Sequence, residues 1–176
     1  LRQPSDANAI RQAANNSDTV VIIGGGYIGL EVAASLRKKG MAVTVIEAAE
    51  RILARVASEP LAERLTKLHE DNGVQVLTGV GVDCINAEDG IFESVTLTSG
   101  QKIAGDMLIT GIGVFPDSKL AADAGIETQR KDGGAILVDE TMKTSEKDVF
   151  AVGDVALRRD QLLAIESVHN AQETAA

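Results

Sequence analysis

Apolar and polar positions follow two rhythms along this chain, and their order predicts the fold. Residues 20–23 (VVII) form an unbroken apolar run with β-branched side chains, the pattern of a strand buried on both faces. From 28 to 39 apolar residues recur at helical spacing, and Gly40 stops the helix. Residues 42–46 are a second apolar strand that ends on Glu47. Strand, turn, helix and strand in this order make a βαβ unit, so the fold class is α/β and Rossmann-like. Upstream, residues 1–18 predict a lead-in helix with Asp6 as its cap, and Asn15, Asn16 and Ser17 turn the chain into the first strand. Downstream, Ser58 is placed as an N-cap with Pro60 in the first turn, and Leu61, Leu65 and Leu68 share one helical face before Asn72-Gly73 ends the element.

After a short strand at 74–77 the rhythm changes. Residues 80–103 alternate between apolar and polar around turns at Asp89-Gly90 and Ser99-Gly100, which predicts a three-stranded antiparallel meander. Residues 106–112 return as a buried strand, and a turn-rich exit at 113–117 follows. A short helix is expected at 118–124, strands at 135–138 and 149–152, and a helical tail at 162–176.

The turn between the first strand and its helix is G-x-G-x-x-G, with Gly24, Gly26 and Gly29. Gly24 allows a tight turn, Gly26 lets backbone approach a pyrophosphate, and Gly29 lets the helix lie close on the strand. Free N–H groups and the positive end of the helix dipole suit phosphate there. Tyr27 and Ile28 stand at the same helix start and join the cofactor-binding set. Glu47 at the second strand tip is placed to accept hydrogen bonds from the adenine-side ribose and to repel a 2′-phosphate, which favours NAD(H) over NADP(H). The bland alternative is a glycine-rich turn in an ordinary βαβ unit, but the flanking strands, the helix and the terminal acid are the context the motif requires. For Arg51 and Arg55 two readings stand side by side: contacts to adenosine phosphate or ribose, or solvated charges on a connecting loop. His69, late in its helix, reads as a surface cap favoured by the macrodipole rather than a catalytic group.

Composition narrows the function classes. The chain has 176 residues, is 44% hydrophobic but only 2% aromatic, so its core is built from Val, Ile, Leu and Ala. A net charge of −9 disfavours non-specific binding to nucleic acid or an anionic membrane. No apolar run reaches membrane-spanning length, and the start has neither the basic nor the apolar region of a signal peptide. Cys84 is the single cysteine; it is expected as a packed thiol in the meander, and the absence of a pair fits a reducing, cytoplasmic setting. No side chain is assigned a catalytic role and no metal site is expected. The missing initiator Met makes a piece of something longer the expectation.

With these motifs in place, the chain resembles the FAD-dependent pyridine nucleotide-disulfide oxidoreductases, and among them most the NADH-dependent ferredoxin reductases of oxygenase systems. The resemblance is carried by LRQPSDANAIR, by VVIIGGGYIGLEVAASLRKKGMAVTVIEAAERILAR, by GIGVFPDSKLAADAGIE, and by ILVDETMKTSEKDVFAVGDVALRRD with IESVHNA. It implies that residues 1–114 are an NAD(H)-binding domain and 115–176 the C-terminal part of an incomplete FAD-binding domain. It implies that Glu31 lies near the nicotinamide, that Ile112 and Gly113 form the backbone turn approaching it, that Gly153 and Asp154 bind the FAD ribityl chain, and that Glu166 begins a segment near the flavin ring. Ala164 departs from the Arg usual there, and the FAD-binding glycine-rich unit that the resemblance places ahead of residue 1 is expected outside this sequence. The implied function is passage of hydride from NADH to FAD and of electrons onward to a ferredoxin. NADH oxidase, nitrite-reductase and disulfide-reductase members share the motifs, and a non-catalytic NAD-binding module is the reading from another class. An FAD segment without its sheet partners leaves Ile136, Val138, Phe150 and Val152 expected as exposed, packed on the NAD domain or paired with another copy. The oligomeric state is left open.

Overall fold

In the computed structural model, which describes residues 3–130, 133–161 and 168–175, the first unbroken apolar run becomes strand β1 (Thr19–Ile23). It is a central strand: parallel neighbours β2 (Ala42–Ile46) and β7 (Met107–Thr110) flank it, and β3 (Val74–Leu77) adds beyond β2, giving the order β3-β2-β1-β7. Helix α2 (Tyr27–Lys38) connects β1 to β2, with Gly40 at φ +91° just past its end. Successive residues of β1 face opposite sides, so both sides must be covered. Val20 and Ile22 pack with Ala33 and Leu36 of α2 and with Val43 and Val45. Val21 packs the other way, with Ile46, Val95 and Leu97. Fully burying Ile22 contributes about 1.5–3 kcal/mol, and the double coverage is why the run shows no polar interruption.

The second cover is the antiparallel meander β4 (Val82–Glu88), β5 (Ile91–Leu97) and β6 (Lys102–Ala104). Asp89 and Gly90 take φ +51° and +80°, the left-handed pair that a tight hairpin needs. Cys84 is exposed rather than packed. A register shift between Val82 and Cys84 resets the alternation that placed the thiol inward. At the opposite ends of the parallel strands, the Asp106 carboxylate accepts from the Thr19 hydroxyl (2.8 Å), the Thr19 N–H (2.9 Å) and the Asp18 N–H (3.0 Å), tying the start of β1 to that of β7. The Thr19 hydroxyl first, then these N–H groups, hold its carboxyl below its ordinary value of 3.8.

Three helix expectations shift in detail. Helix α1 (Pro4–Ala13) is capped by Gln3, and Asp6 sits three residues in, where its carboxylate accepts from the Gln3 N–H (2.9 Å) as half of a capping box. Helix α3 (Glu59–Asp71) starts after Ser58, whose hydroxyl makes no cap bond. Its buried stripe runs through Ala62 and Leu65, while Leu61 and Leu68 are exposed, so the inward face is rotated by about one residue from the leucine spacing. His69 falls on that rotated face and is half-buried rather than at the surface, and burial pushes its imidazole below the ordinary 6.5.

The chain divides into two units, Leu1–Gly113 and Val114–Ala176. In the second, α4 (Lys119–Asp123) precedes β8 (Thr128–Arg130), β9 (Gly133–Val138) and β10 (Ala156–Arg158), in the order β10-β9-β8. Ile136 and Val138 are buried with Ala151, against Ala121, Ile126, Met142 and Val155, so these two are covered within their own unit. Phe150 and Val152 are exposed. Residues 149–152 are not a strand: Phe150 forms an isolated bridge to Lys143, where the Thr144 N–H donates to the Val149 carbonyl (3.0 Å) and the Ala151 N–H to the Met142 carbonyl (3.1 Å). The strand beside β9 is instead β10, through Leu157 opposite Leu137. Arg130 stacks 5.5 Å from the centre of the Phe115 ring. A one-turn 3-10 helix (Gly153–Val155) packs on α5 (Val168–Thr174), where the Gly153 N–H donates to the Thr174 hydroxyl (3.3 Å). The expected helical tail is thus described only over α5, since residues 162–167 lie outside the described residues. Among the described residues no helix is long and apolar enough to cross a membrane, and no His, Cys, Asp and Glu cluster suited to a metal occurs.

Candidate functional site

The C-terminal edge of the parallel sheet is where the glycine-rich turn lies. Gly24 continues β1 by donating to the Ile46 carbonyl (2.8 Å), then turns at φ +111°, a conformation costly to any other residue. A Cβ there would lie 2.8 Å from the Gly111 carbonyl carbon and closer still to its oxygen. Gly111 in turn donates to the Ile23 carbonyl (2.7 Å). A Cβ on Gly29 would strike the Gly24 carbonyl and sit 3.5 Å from Ile22 Cγ2. Three backbones therefore meet at glycines 24, 29 and 111, which brings the start of α2 onto the strand tips.

Gly26 differs from these. It is the N-cap of α2 at φ −82°, ψ −178°, an ordinary extended conformation, and a Cβ there would meet nothing within 4 Å. Neither conformation nor crowding demands glycine at this position, and the space above it is open. No side chain caps the helix start, so its first N–H groups and the positive end of its dipole face that open space. Tyr27 and Ile28 flank it and are 58% and 42% exposed. Glu31 is exposed one turn into α2. Gly113, at φ +121°, follows Ile112, which is 74% exposed, on the segment leaving β7.

Glu47 is built into the turn. Its Oε2 accepts from the Gly25 N–H (2.7 Å) and its Oε1 from the Ala49 N–H (2.8 Å). Each oxygen retains a lone pair for a further donor. Arg51 is folded back onto its own loop, donating to the Ala57 (2.9 Å) and Ala54 (3.1 Å) carbonyls, while Arg55 is exposed. The structure thus brings together Gly24, Gly26, Gly29 and Glu47 with the exposed Tyr27 and Ile28, and adds Gly25 and Gly111, which sequence reasoning passed over. The run G-G-G and the later T-G-I-G were the only written signals for these two. In the second unit, Gly153 is buried at φ +72° with exposed Asp154 beside it. Glu166 lies outside the described residues.

An uncapped helix start, a side-chain-free approach and a carboxylate at the next strand tip fit the diphosphate and ribose of a dinucleotide. Residues 1–175 match the family described as pyridine nucleotide-disulphide oxidoreductase. The chain belongs to that family. Among curated members it is 39% identical over 179 residues to rhodocoxin reductase of Rhodococcus erythropolis, covering 99% of this chain and 41% of that one. It is 37% identical over 175 residues to a rubredoxin-NAD(+) reductase of Pseudomonas putida, covering 97% and 44%. Among solved structures, a ferredoxin reductase from Rhodopseudomonas palustris superposes with a TM-score of 0.91 at 34% identity, over 99% of this chain and 43% of that one. The chain spans about two-fifths of the length of the family members it matches. Within the family fold, the parallel sheet and the meander are the features this chain shares with those structures.

Proposed function

We propose that this chain is the NAD(H)-binding portion, with part of the FAD-binding portion, of a flavin-dependent reductase that feeds a ferredoxin-type iron–sulfur protein. The observation that carries the reading is Glu47, fastened to Gly25 at the sheet edge beside the uncapped start of α2. The backbone N–H groups at 26–28 hold the diphosphate, with Gly26 giving clearance. Glu47 accepts the ribose hydroxyls through its remaining lone pairs and rejects a 2′-phosphate by charge. Arg55, exposed on the same loop, contacts the adenosine side. Ile112 and Gly113 approach the nicotinamide nucleotide, with Glu31 nearby. Residues 1–114 are the NAD(H) domain, and 115–176 contribute Gly153 and Asp154 to the FAD ribityl chain and Glu166 to the flavin side.

When bound, NADH supplies a hydride to the flavin, and the flavin releases electrons one at a time. The protein's share is binding and orientation, with no side chain cast as acid or base. The names of the relatives, reductases of rhodocoxin, rubredoxin and ferredoxin, support an iron–sulfur protein as acceptor. The single cysteine supports a cytoplasmic setting. The test is anaerobic addition of NADH to the flavin-bearing polypeptide that contains this chain. NADH bleaches the flavin absorbance at once, and NADPH at equal concentration does so far more slowly. Flavin that stays oxidised with NADH refutes the reading.

A further inference from the structure

The loop between β2 and α3, residues 48–57, is folded more tightly than a connection requires. The Val56 and Ala57 N–H groups both donate to the Leu53 carbonyl (3.0 and 2.9 Å). Leu53 itself sits at φ +52°, a left-handed conformation that costs a leucine energy and persists only where its surroundings impose it. Two things impose it. Ile52 and Leu53 are buried in a small cluster with Leu30 and Ala62, and the Arg51 guanidinium spans the loop to the Ala54 and Ala57 carbonyls. The loop is tied outward at two points: the Leu53 N–H donates to the Gly25 carbonyl (2.9 Å), and the Ala49 carbonyl accepts from the Gly79 N–H (2.8 Å). From the other side, the Gly25 N–H is held by Glu47. Both polar backbone groups of the middle glycine are therefore committed to this loop and to the strand tip beside it. No room remains between them, because a Cβ on Gly25 would lie 3.0 Å from Ile52 Cγ2 and 3.1 Å from Glu47 Cβ.

We propose that residues 48–57 are a clamp that fixes the Gly25 peptide, and that Arg51 is its positioning residue for diphosphate binding. The proposal rests on the reading of the site as a dinucleotide site. Fixing the two peptide planes of Gly25 sets where the N–H groups that follow it point, and donors aimed in advance bind an anion without an ordering cost. Arg51 acts through Leu53 and Gly25. In this arrangement its guanidinium faces carbonyls of its own loop and is not a phosphate ligand.

The test uses the whole chain with Arg51→Ala and Arg51→Lys. Amide hydrogen exchange of Gly25 is followed by NMR without ligand, NADH affinity by calorimetry, and the fold by thermal melting. Arg51→Ala is expected to speed Gly25 exchange and weaken NADH about tenfold, the equivalent of one charge-assisted hydrogen bond. Val95, in the meander core, is expected to keep its protection, and Arg51→Lys, with one compact donor head for two carbonyls, to restore part of both effects. Unchanged Gly25 exchange overturns the clamp. Weaker NADH binding with unchanged Gly25 exchange overturns it too, and makes Arg51 a direct ligand. A wild-type chain without NADH affinity defeats the dinucleotide reading and the diphosphate role of Arg51 with it, while Gly25 exchange in Arg51→Ala still decides whether the loop fixes that peptide.

Discussion

Gly29 and Gly26 are three residues apart in one motif, yet their surroundings are opposite, and alanine at each separates fold from the proposed binding. At Gly29 the added Cβ lies 3.2 Å from the Gly24 carbonyl carbon and nearer to its oxygen. The obstacle is backbone, so it cannot rotate away; the first turn of α2 must retreat by on the order of 1 Å from β1, loosening Leu30 and Ala33. Overpacking of this kind costs about 1–3 kcal/mol, and the better helix propensity of alanine returns up to about 1 kcal/mol. The expected net loss is about 1–2 kcal/mol, which lowers the melting temperature by roughly 5 °C or more for a unit of this size. At Gly26 the Cβ enters open space at an ordinary φ, so stability is expected to change by less than about 1 kcal/mol. The methyl enters the proposed diphosphate site, and NADH affinity is expected to drop at least about tenfold, or 1.4 kcal/mol. Paired thermal melts and NADH titrations read both effects. Wild-type NADH affinity in Gly26→Ala, or a wild-type melting temperature in Gly29→Ala, refutes the division of labour.

Glu47→Ala removes the acceptor for the Gly25 and Ala49 N–H groups together with the charge at the strand tip. It is expected to weaken NADH by about 1–3 kcal/mol in a binding titration and to narrow the gap to NADPH. Asp106 has its folded-state carboxyl depressed below 3.8, so its contribution is present above that value and is lost as pH falls through the folded one. Asp106→Asn is therefore expected to be less stable than wild type at neutral pH, with the difference shrinking below about pH 4 in denaturant melts. Val138→Ala opens a cavity in the second unit's own core and is expected to cost about 1–3 kcal/mol, with amide exchange in β9 and β10 accelerated and that of β1 unchanged.

The βαβ unit was legible because two-sided burial leaves strands such as β1 without polar interruption, and because Gly24 and Gly29 are demanded by backbone collisions a motif can encode. The meander was legible from Asp89-Gly90, a pair that suits left-handed φ. Residues 149–152 misled for the same reason the others helped: an apolar run of four does not say whether a neighbour is there to pair with it. The strand that does pair, β10, is three residues followed by Arg159 and carries no pattern at all. In α3 the leucine spacing pointed to one face, but Ala62, small enough to let the helix lie close, set the inward stripe one position away. Gly111 and Leu53 escaped notice because their roles are contacts made across the chain, Gly111 with Gly24 and Leu53 with Gly25. No spacing rule relates such pairs.

The β1–α2 turn with Glu47 is proposed to bind NAD(H) and to discriminate against NADP(H). Calorimetric titration of the wild-type chain with NADH and with NADPH, at one salt concentration, tests this most directly. Saturable one-to-one binding of NADH is expected, with an affinity for NADPH at least about tenfold weaker, the equivalent of 1.4 kcal/mol from the charge of Glu47. Equal affinity for the two nucleotides, or heat for neither, contradicts it.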